Sequence, residues 1–251
     1  MDHQLVESNA RSESIPFGDV RSSAVFSLSE TFGTEQNRLT QRRPKAIDAG
    51  AHLTKWAIDM TGALILLAIL WPLFLIIAVM VALDGGPVFY GHRRIGKDGR
   101  AFDCLKFRTM IPGAEECLGE YLSYHPLANT EWRASQKLVR DPRVTPIGAL
   151  LREWSLDELP QLLNVLRGEM SLVGPRPVTR SEMIHYGPTA ALYMSVLPGM
   201  TGLWQVSGRS DLSYTSRVAL DRTYVERWSL VRDLAILLST PRAVLRRSGA
   251  K

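Results

Sequence analysis

MTGALILLAILWPLFLIIAVMVAL, Met60 to Leu83, is a run of 24 residues without a charged side chain. At 1.5 Å per residue it makes about 36 Å of helix, enough for the hydrocarbon core of a bilayer. It begins about 60 residues into the chain and lacks the small-residue cleavage site of a secretory signal. Arg42, Arg43, Lys45 and Lys55 precede it, and His92, Arg93, Arg94 and Lys97 follow it. Positive charge on both flanks asks for both ends on the cytoplasmic side. Pro72, in the middle, removes a backbone donor and crowds the preceding turn. A tilted, kinked crossing is the plainer alternative, because membranes tolerate proline. The charge symmetry favours a re-entrant helix, broken at Pro72, that enters and leaves by one face.

The rest of the chain has the composition of a folded protein. Of its 251 residues 45% are hydrophobic and 22% charged, which excludes a fully disordered or fibrous chain. Two cysteines, Cys104 and Cys117, are too few for a disulfide framework or a four-cysteine metal site. The formal net charge is +5, and residues 1–50 hold more acids than bases, so the basic excess lies beyond them. Such a body meets something anionic: nucleic acid, a phosphorylated substrate or an acidic membrane surface. The apolar run favours the last two, and no aromatic residues interleave a basic stripe as nucleic-acid binding would want. No nucleic-acid partner is expected.

After the run, residues 84–110 alternate β-prone pieces with glycine turns, the pattern of a hairpin. Lys106 and Arg108, two apart on a strand, would share one face; a solvated strand edge explains them equally well. Residues 112–139 read as two modest amphipathic helices interrupted at His125-Pro126. The tail, 228–247, reads as a basic amphipathic helix broken at Pro241, suited to a membrane interface or to a core with a basic end. No GxGxxG loop or repeat occurs, which argues against a dinucleotide fold and a solenoid.

The stretch SLDELPQLLNVL, 155–166, carries the chemistry. Its leucines mark an apolar helix face, and Asp157 and Glu158 fall at its start, where free backbone donors and the helix dipole favour anions. A capping box, Ser155 with Glu158, is the bland explanation of the same two acids. Arg140, Arg143, Arg152, Arg167, Arg176 and Arg209 gather in nearby turn-rich segments, and guanidinium forks match phosphate oxygens. Arg176 stands between Pro175 and Pro177, held stiffly by two fixed backbone angles. Arg209 ends a glycine-rich segment, PGMTGLWQVSGR, 198–209, where backbone can approach a ligand closely.

These segments resemble the bacterial sugar transferase family, the monotopic phosphoglycosyl transferases. The likeness rests on SLDELPQ at 155–161, GEMSLVGPRP at 168–177, KFRTM at 106–110, DPRVT at 141–145 and PGMTGLWQVSGR at 198–209, in that family's order, over roughly residues 51–251. GHRRIG at 91–96 and the length of 112–139 look most like the exopolysaccharide-initiating hexose-1-phosphate transferases of the galactosyl type. The resemblance implies an α+β, mainly helical, membrane-associated monotopic fold with the re-entrant helix, short strands and interfacial amphipathic helices. Residues 1–50, rich in Ser, Gln, Arg and Glu with scattered apolar residues, read by composition as a mostly disordered cytoplasmic leader. The resemblance implies the membrane helix and its flanks over 51–91 and a cytoplasmic catalytic domain over 92–251, at the bacterial inner membrane.

The activity implied is transfer of a hexose 1-phosphate, galactose favoured and glucose the alternative, from a UDP-sugar to undecaprenyl phosphate, with release of UMP and Mg2+ as cofactor. By resemblance Asp157 is the nucleophile and meets the metal, and Glu158 assists. Arg152, Arg176, Arg209, Lys106 and Arg108 bind the nucleotide-sugar phosphates, membrane lipid is a partner, and a homo-oligomer is compatible with the pattern. One departure is Trp71-Pro72 where the family usually has Ser-Pro, so the serine hydroxyl that would serve a freed carbonyl is missing. A non-catalytic membrane adaptor that recruits polysaccharide enzymes is the rival reading.

Overall fold

The computed structural model describes residues 49–208 and 212–245. Residues 1–48 of the expected leader, Arg209 and the last two residues of the tail expected over 228–247 lie outside the described residues. The order is α1 (Ala49–Ala82), β1 (Phe89–Ile95), β2 (Ala101–Phe107), α2 (Ala114–Tyr124), α3 (Pro126–Ser135), α4 (Pro146–Glu153), α5 (Gln161–Leu166), β3 (Ser171–Val173), α6 (Ala190–Met194), β4 (Gly199–Thr201), α7 (Leu203–Ser207), α8 (Tyr214–Glu226) and α9 (Leu230–Leu245). Short 3-10 turns cover Leu156–Glu158 and Glu182–Thr189. The fold is mainly helical with few short strands, as expected.

Helix α1 is 34 residues long, and helical backbone continues through Pro72 and, in α9, through Pro241. The expected breaks are therefore absent. Pro72 gives no hydrogen bond to the carbonyl of Ala68, yet the turns on both sides are held by packing. Asp59, Ala63, Phe74, Ile77 and Val81 form a buried stripe along one side of α1, against α4, α5, β2 and β3. Phe74 packs on Phe107 with ring centroids 4.9 Å apart. The other sides bear Leu64, Ile65, Ile69, Trp71, Leu75, Ile76 and Val79, all exposed. A surface that apolar and that wide on one helix is a lipid-facing surface rather than a water-facing one.

Both ends of α1 are fastened to the same body. Near its start Lys55 Nζ donates to Asp233 Oδ2 at 2.7 Å and to the Val173 carbonyl at 3.1 Å. One turn on, Asp59 accepts from Ser171 Oγ at 2.8 Å and from the Leu172 amide at 3.1 Å. At its far end the Arg108 guanidinium donates to the Val81 carbonyl at 2.9 Å and pairs with Asp84. A cation there serves orphan carbonyls and opposes the negative end of the helix dipole.

The hairpin forms as expected, with β1 and β2 antiparallel from Phe89 opposite Phe107 to Ile95 opposite Ala101. The helix pair α2 and α3 divides at His125-Pro126 as expected. β3 and β4 pair in parallel, Ser171 with Gly199 and Val173 with Thr201. Beside them the backbones of Gly174 and Gly199 touch so closely that a Cβ on either would strike the other. That contact sets the Gly174–Pro177 segment against the start of the glycine-rich segment.

Candidate active site

Asp157 and Glu158 do not sit in the first turn of α5. They occupy the separate 3-10 turn Leu156–Glu158, entered through Ser155 in the left-handed region at φ 57°. The Ser155 side chain makes no capping hydrogen bond, so the capping-box explanation fails. Asp157 is buried, 7% exposed. Between the two carboxylates lies Lys106 from β2, its Nζ 3.3 Å from Asp157 Oδ2 and 2.8 Å from Glu158 Oε1. Among the described residues Lys106 is the one hydrogen-bond partner of Asp157, and the Asp157 carboxylate keeps room for more.

The strand that carries Lys106 is locked by Asn164, which is fully buried. Its Oδ1 accepts from the Leu105 amide at 2.9 Å, and its Nδ2 donates to the Asp103 carbonyl at 2.9 Å and to Glu169 Oε2 at 2.7 Å. One side chain on α5 thus substitutes for a neighbouring strand and sets Lys106 beside the acidic turn. A polar residue inside the apolar run LPQLLNVL was the signal for it, and residue patterning alone passed over it.

The electrostatics are those of a compressed charge cluster. Burial pushes the Asp157 pKa above the usual carboxylate range, and Lys106 opposes that shift. Burial works against the charge of Lys106, but Glu158 and Asp157 outweigh it and raise its pKa. Cys104, on the same strand, is pushed up to about 11 by burial and is a core thiol rather than a nucleophile.

The structure gathers some of the expected cations and disperses others. Arg176 Nη1 lies 3.9 Å from Glu158 Oε1. Arg152 is tied through Nε to Thr109 Oγ1 at 2.8 Å, and its charge favours ionised Asp157. A depression beside Glu158 is lined by His92, Arg94, Lys106, Arg176 and Gln205. Arg108 is not part of it: β2 ends at Phe107, and Arg108 turns away to the end of α1. Arg143 is engaged with Asp141 at 2.6 Å and stacks over Trp132, and Arg140 and Arg167 are exposed.

A carboxylate pair threaded by a lysine, with guanidiniums nearby and an apolar helix on the same body, has the chemistry a membrane-associated transferase acting on phosphate esters requires. The comparisons with known proteins make the class specific. The family model of the bacterial sugar transferases matches residues 50–247, and the chain belongs to that family as an enzyme of the phosphoglycosyl transferase class. It is 53% identical over 199 residues to the exopolysaccharide production protein ExoY of Rhizobium meliloti, covering 79% of this chain and 88% of that protein. It is 53% identical over 200 residues to the UDP-galactose-lipid carrier transferase of Erwinia amylovora, covering 80% of this chain and 42% of that one. With the undecaprenyl-phosphate galactose phosphotransferase of Salmonella typhimurium it shares 43% identity over 236 residues, 94% of this chain and 48% of that one. The chain thus spans most of the Rhizobium relative and less than half of the other two.

Proposed function

We propose that the protein transfers a hexose 1-phosphate, galactose 1-phosphate first, from a UDP-hexose to undecaprenyl phosphate and so starts an exopolysaccharide repeat unit. The observation that carries this reading is Asp157, a buried carboxylate with free acceptor capacity between Lys106 and the nearby guanidiniums. The Asp157 oxygen attacks the phosphorus that bears the sugar, the bond from that phosphorus to the UMP oxygen breaks, and UMP leaves. A phosphate oxygen of the lipid then attacks the same phosphorus, forming the lipid diphosphate sugar and returning the carboxylate. Two displacements let a water-soluble donor react first and a lipid acceptor second.

An anion attacking an anion needs its charge neutralised. Lys106 holds the dyad, and Arg176, Arg152 and Arg209 are the matching cations for the diphosphate. The described residues contain no cluster of three or more metal-ligating side chains. Mg2+ characteristically takes one or two carboxylates, keeps waters and draws its other ligands from substrate phosphates, so the residues fit it with Asp157 as the protein ligand. When bound, the ion would supply positive charge against the diphosphate.

The names of the Erwinia and Salmonella relatives support galactose as the sugar and a lipid carrier as the acceptor. For topology, the positive charge on both flanks of the apolar run supports residues 1–55 and 92–251 both at the cytoplasmic face of the inner membrane, with α1 held at that face without a break at Pro72. Protease added outside intact spheroplasts should cut neither terminal tag, and cutting of the N-terminal tag would establish a crossing. The central test is a burst. Wild-type enzyme given UDP-galactose without lipid releases UMP up to one equivalent, and chelation abolishes it. Release of no UMP from UDP-galactose or UDP-glucose would overturn the reading.

A further inference from the structure

A second buried carboxylate lies behind the site. Asp221 on α8 is 2% exposed. Its Oδ2 accepts from the Tyr186 hydroxyl at 2.7 Å, while its buried Oδ1 has no hydrogen-bond partner. The Trp204 indole is close enough to favour the charged form without closing a hydrogen bond to Oδ1. An unsatisfied buried acceptor lowers stability, and asparagine would avoid the charge altogether. A carboxylate held at such a position is explained by what surrounds it.

Trp204 lies under two guanidiniums, Arg217 with Cζ 5.1 Å from the ring centroid and Arg176 with Cζ 5.8 Å. Each contact is favourable by itself. Two like charges over one indole repel, however, and Arg176, with 39% of its side chain exposed, has room to swing out. A negative charge beside the indole offsets that repulsion, and the Arg176 charge is near enough to stabilise ionised Asp221 in return. Arg176 also faces Glu158, 3.9 Å away. The chain of contacts therefore runs from Asp221 through Trp204 to Arg176 and the acidic turn.

We propose that Asp221 is a positioning residue: through Trp204 it holds the Arg176 guanidinium toward the acidic turn, where Arg176 grips the phosphates of the nucleotide sugar. This deepens the transferase reading and rests on it. Five groups face the carboxylate: Tyr186, Tyr193 on α6, Tyr214 on α8 itself, Trp204 on α7 and Arg176. Burial pushes the Asp221 pKa up to about 7, and burial raises those of the three tyrosines, which stay neutral throughout. The folded state thus binds the Asp221 proton more tightly than the unfolded chain. Stability is greatest with the carboxyl protonated and falls as pH rises from about 4 to about 7.

The experiment is Asp221→Asn in the full chain in lipid nanodiscs, with UMP release from UDP-galactose and melting temperature followed from pH 5 to 8.5. The expected result is a kcat/KM lowered about tenfold or more, chiefly through KM, with a melting temperature at pH 8 no lower than wild type and a flatter dependence of melting on pH. Placed in an Arg176→Ala background, Asp221→Asn should add no further loss. A kcat/KM within twofold of wild type overturns the proposal. So does a loss that multiplies fully with that of Arg176→Ala, or one explained by a lowered melting temperature at unchanged KM. If wild type binds UDP-galactose but releases no UMP, the transferase reading falls by itself, and calorimetric affinity for UDP-galactose then reads the same two variants. Unchanged affinity in Asp221→Asn would then overturn this proposal too.

Discussion

Two lysines in this protein each stand between two carboxylates, and their surroundings make them opposites. Lys55 joins Asp233 at 2.7 Å and Asp59 at 3.7 Å. Those acids are further served by Ser171, the Leu172 amide, the Tyr224 hydroxyl at 2.8 Å and the Trp228 indole at 3.0 Å. Lys106 joins Glu158 and Asp157, but among the described residues no neutral donor completes Asp157. Equal charge arithmetic thus yields a saturated fastening in one place and a cluster with unfilled acceptor capacity on Asp157 in the other. What separates them is the supply of neutral hydrogen-bond donors.

Exchanging the properties of the two clusters should be possible only in one direction. The largest effect is expected for Asp157→Asn, which keeps shape and removes the proposed nucleophile: UMP release should fall by about three orders of magnitude or more with the melting temperature unchanged. Residual turnover within tenfold of wild type would put the nucleophile elsewhere. Lys106→Met comes next, with about a hundredfold loss of kcat, because two adjacent carboxylates then resist ionising together. Stability in the same samples should also fall, by about 1–2 kcal/mol, because two partly buried carboxylates lose their cation, so kcat is read on the folded fraction.

Lys55→Met should show the reverse pattern. Breaking a mostly buried pair leaves Asp233 and Asp59 short of a cation and costs about 2 kcal/mol, discounted for the partial exposure of Lys55. Denaturation in detergent would read that loss, while specific activity of the folded fraction stays near wild type. The smallest effect is Ser171→Ala, about 1 kcal/mol of stability from one lost donor to Asp59, with activity again unchanged. Should Lys55→Met or Ser171→Ala lower kcat as much as Lys106→Met, the division between fastening and site would collapse.

Much of this arrangement is legible in the residues. The two acids fall in a separate turn ahead of the helix expected to carry them, whereas the uncharged run, the hairpin and the helix pair divided at Pro126 follow from patterning and punctuation. The uninterrupted course of α1 does not, because the cost of Pro72, about 3 kcal/mol in an isolated helix, is offset by the packing of Phe74, Ile77 and Val81 that no local pattern displays. Arg108 defeats the period-two argument for a different reason. The strand ends one residue before it, and its partners are the carbonyls and carboxylate of a segment more than twenty residues earlier. Asn164 was visible as a polar residue in an apolar run, but its partners on β2 lie about 60 residues away in the chain.

The fastening of α1 also fixes an order of events during synthesis. Lys55 and its partner Asp233 are 178 residues apart in the chain, and at about 5–20 residues per second a ribosome needs roughly 9–36 s to supply the second after the first. Throughout that interval the apolar helix is already made while its docking surface is not. Lipid is the earlier partner, so the nascent chain meets the bilayer with Lys55 and Asp59 still hydrated at its margin. Closing the fold then draws that charged turn away from water into the growing body, and membrane arrival precedes enzyme assembly.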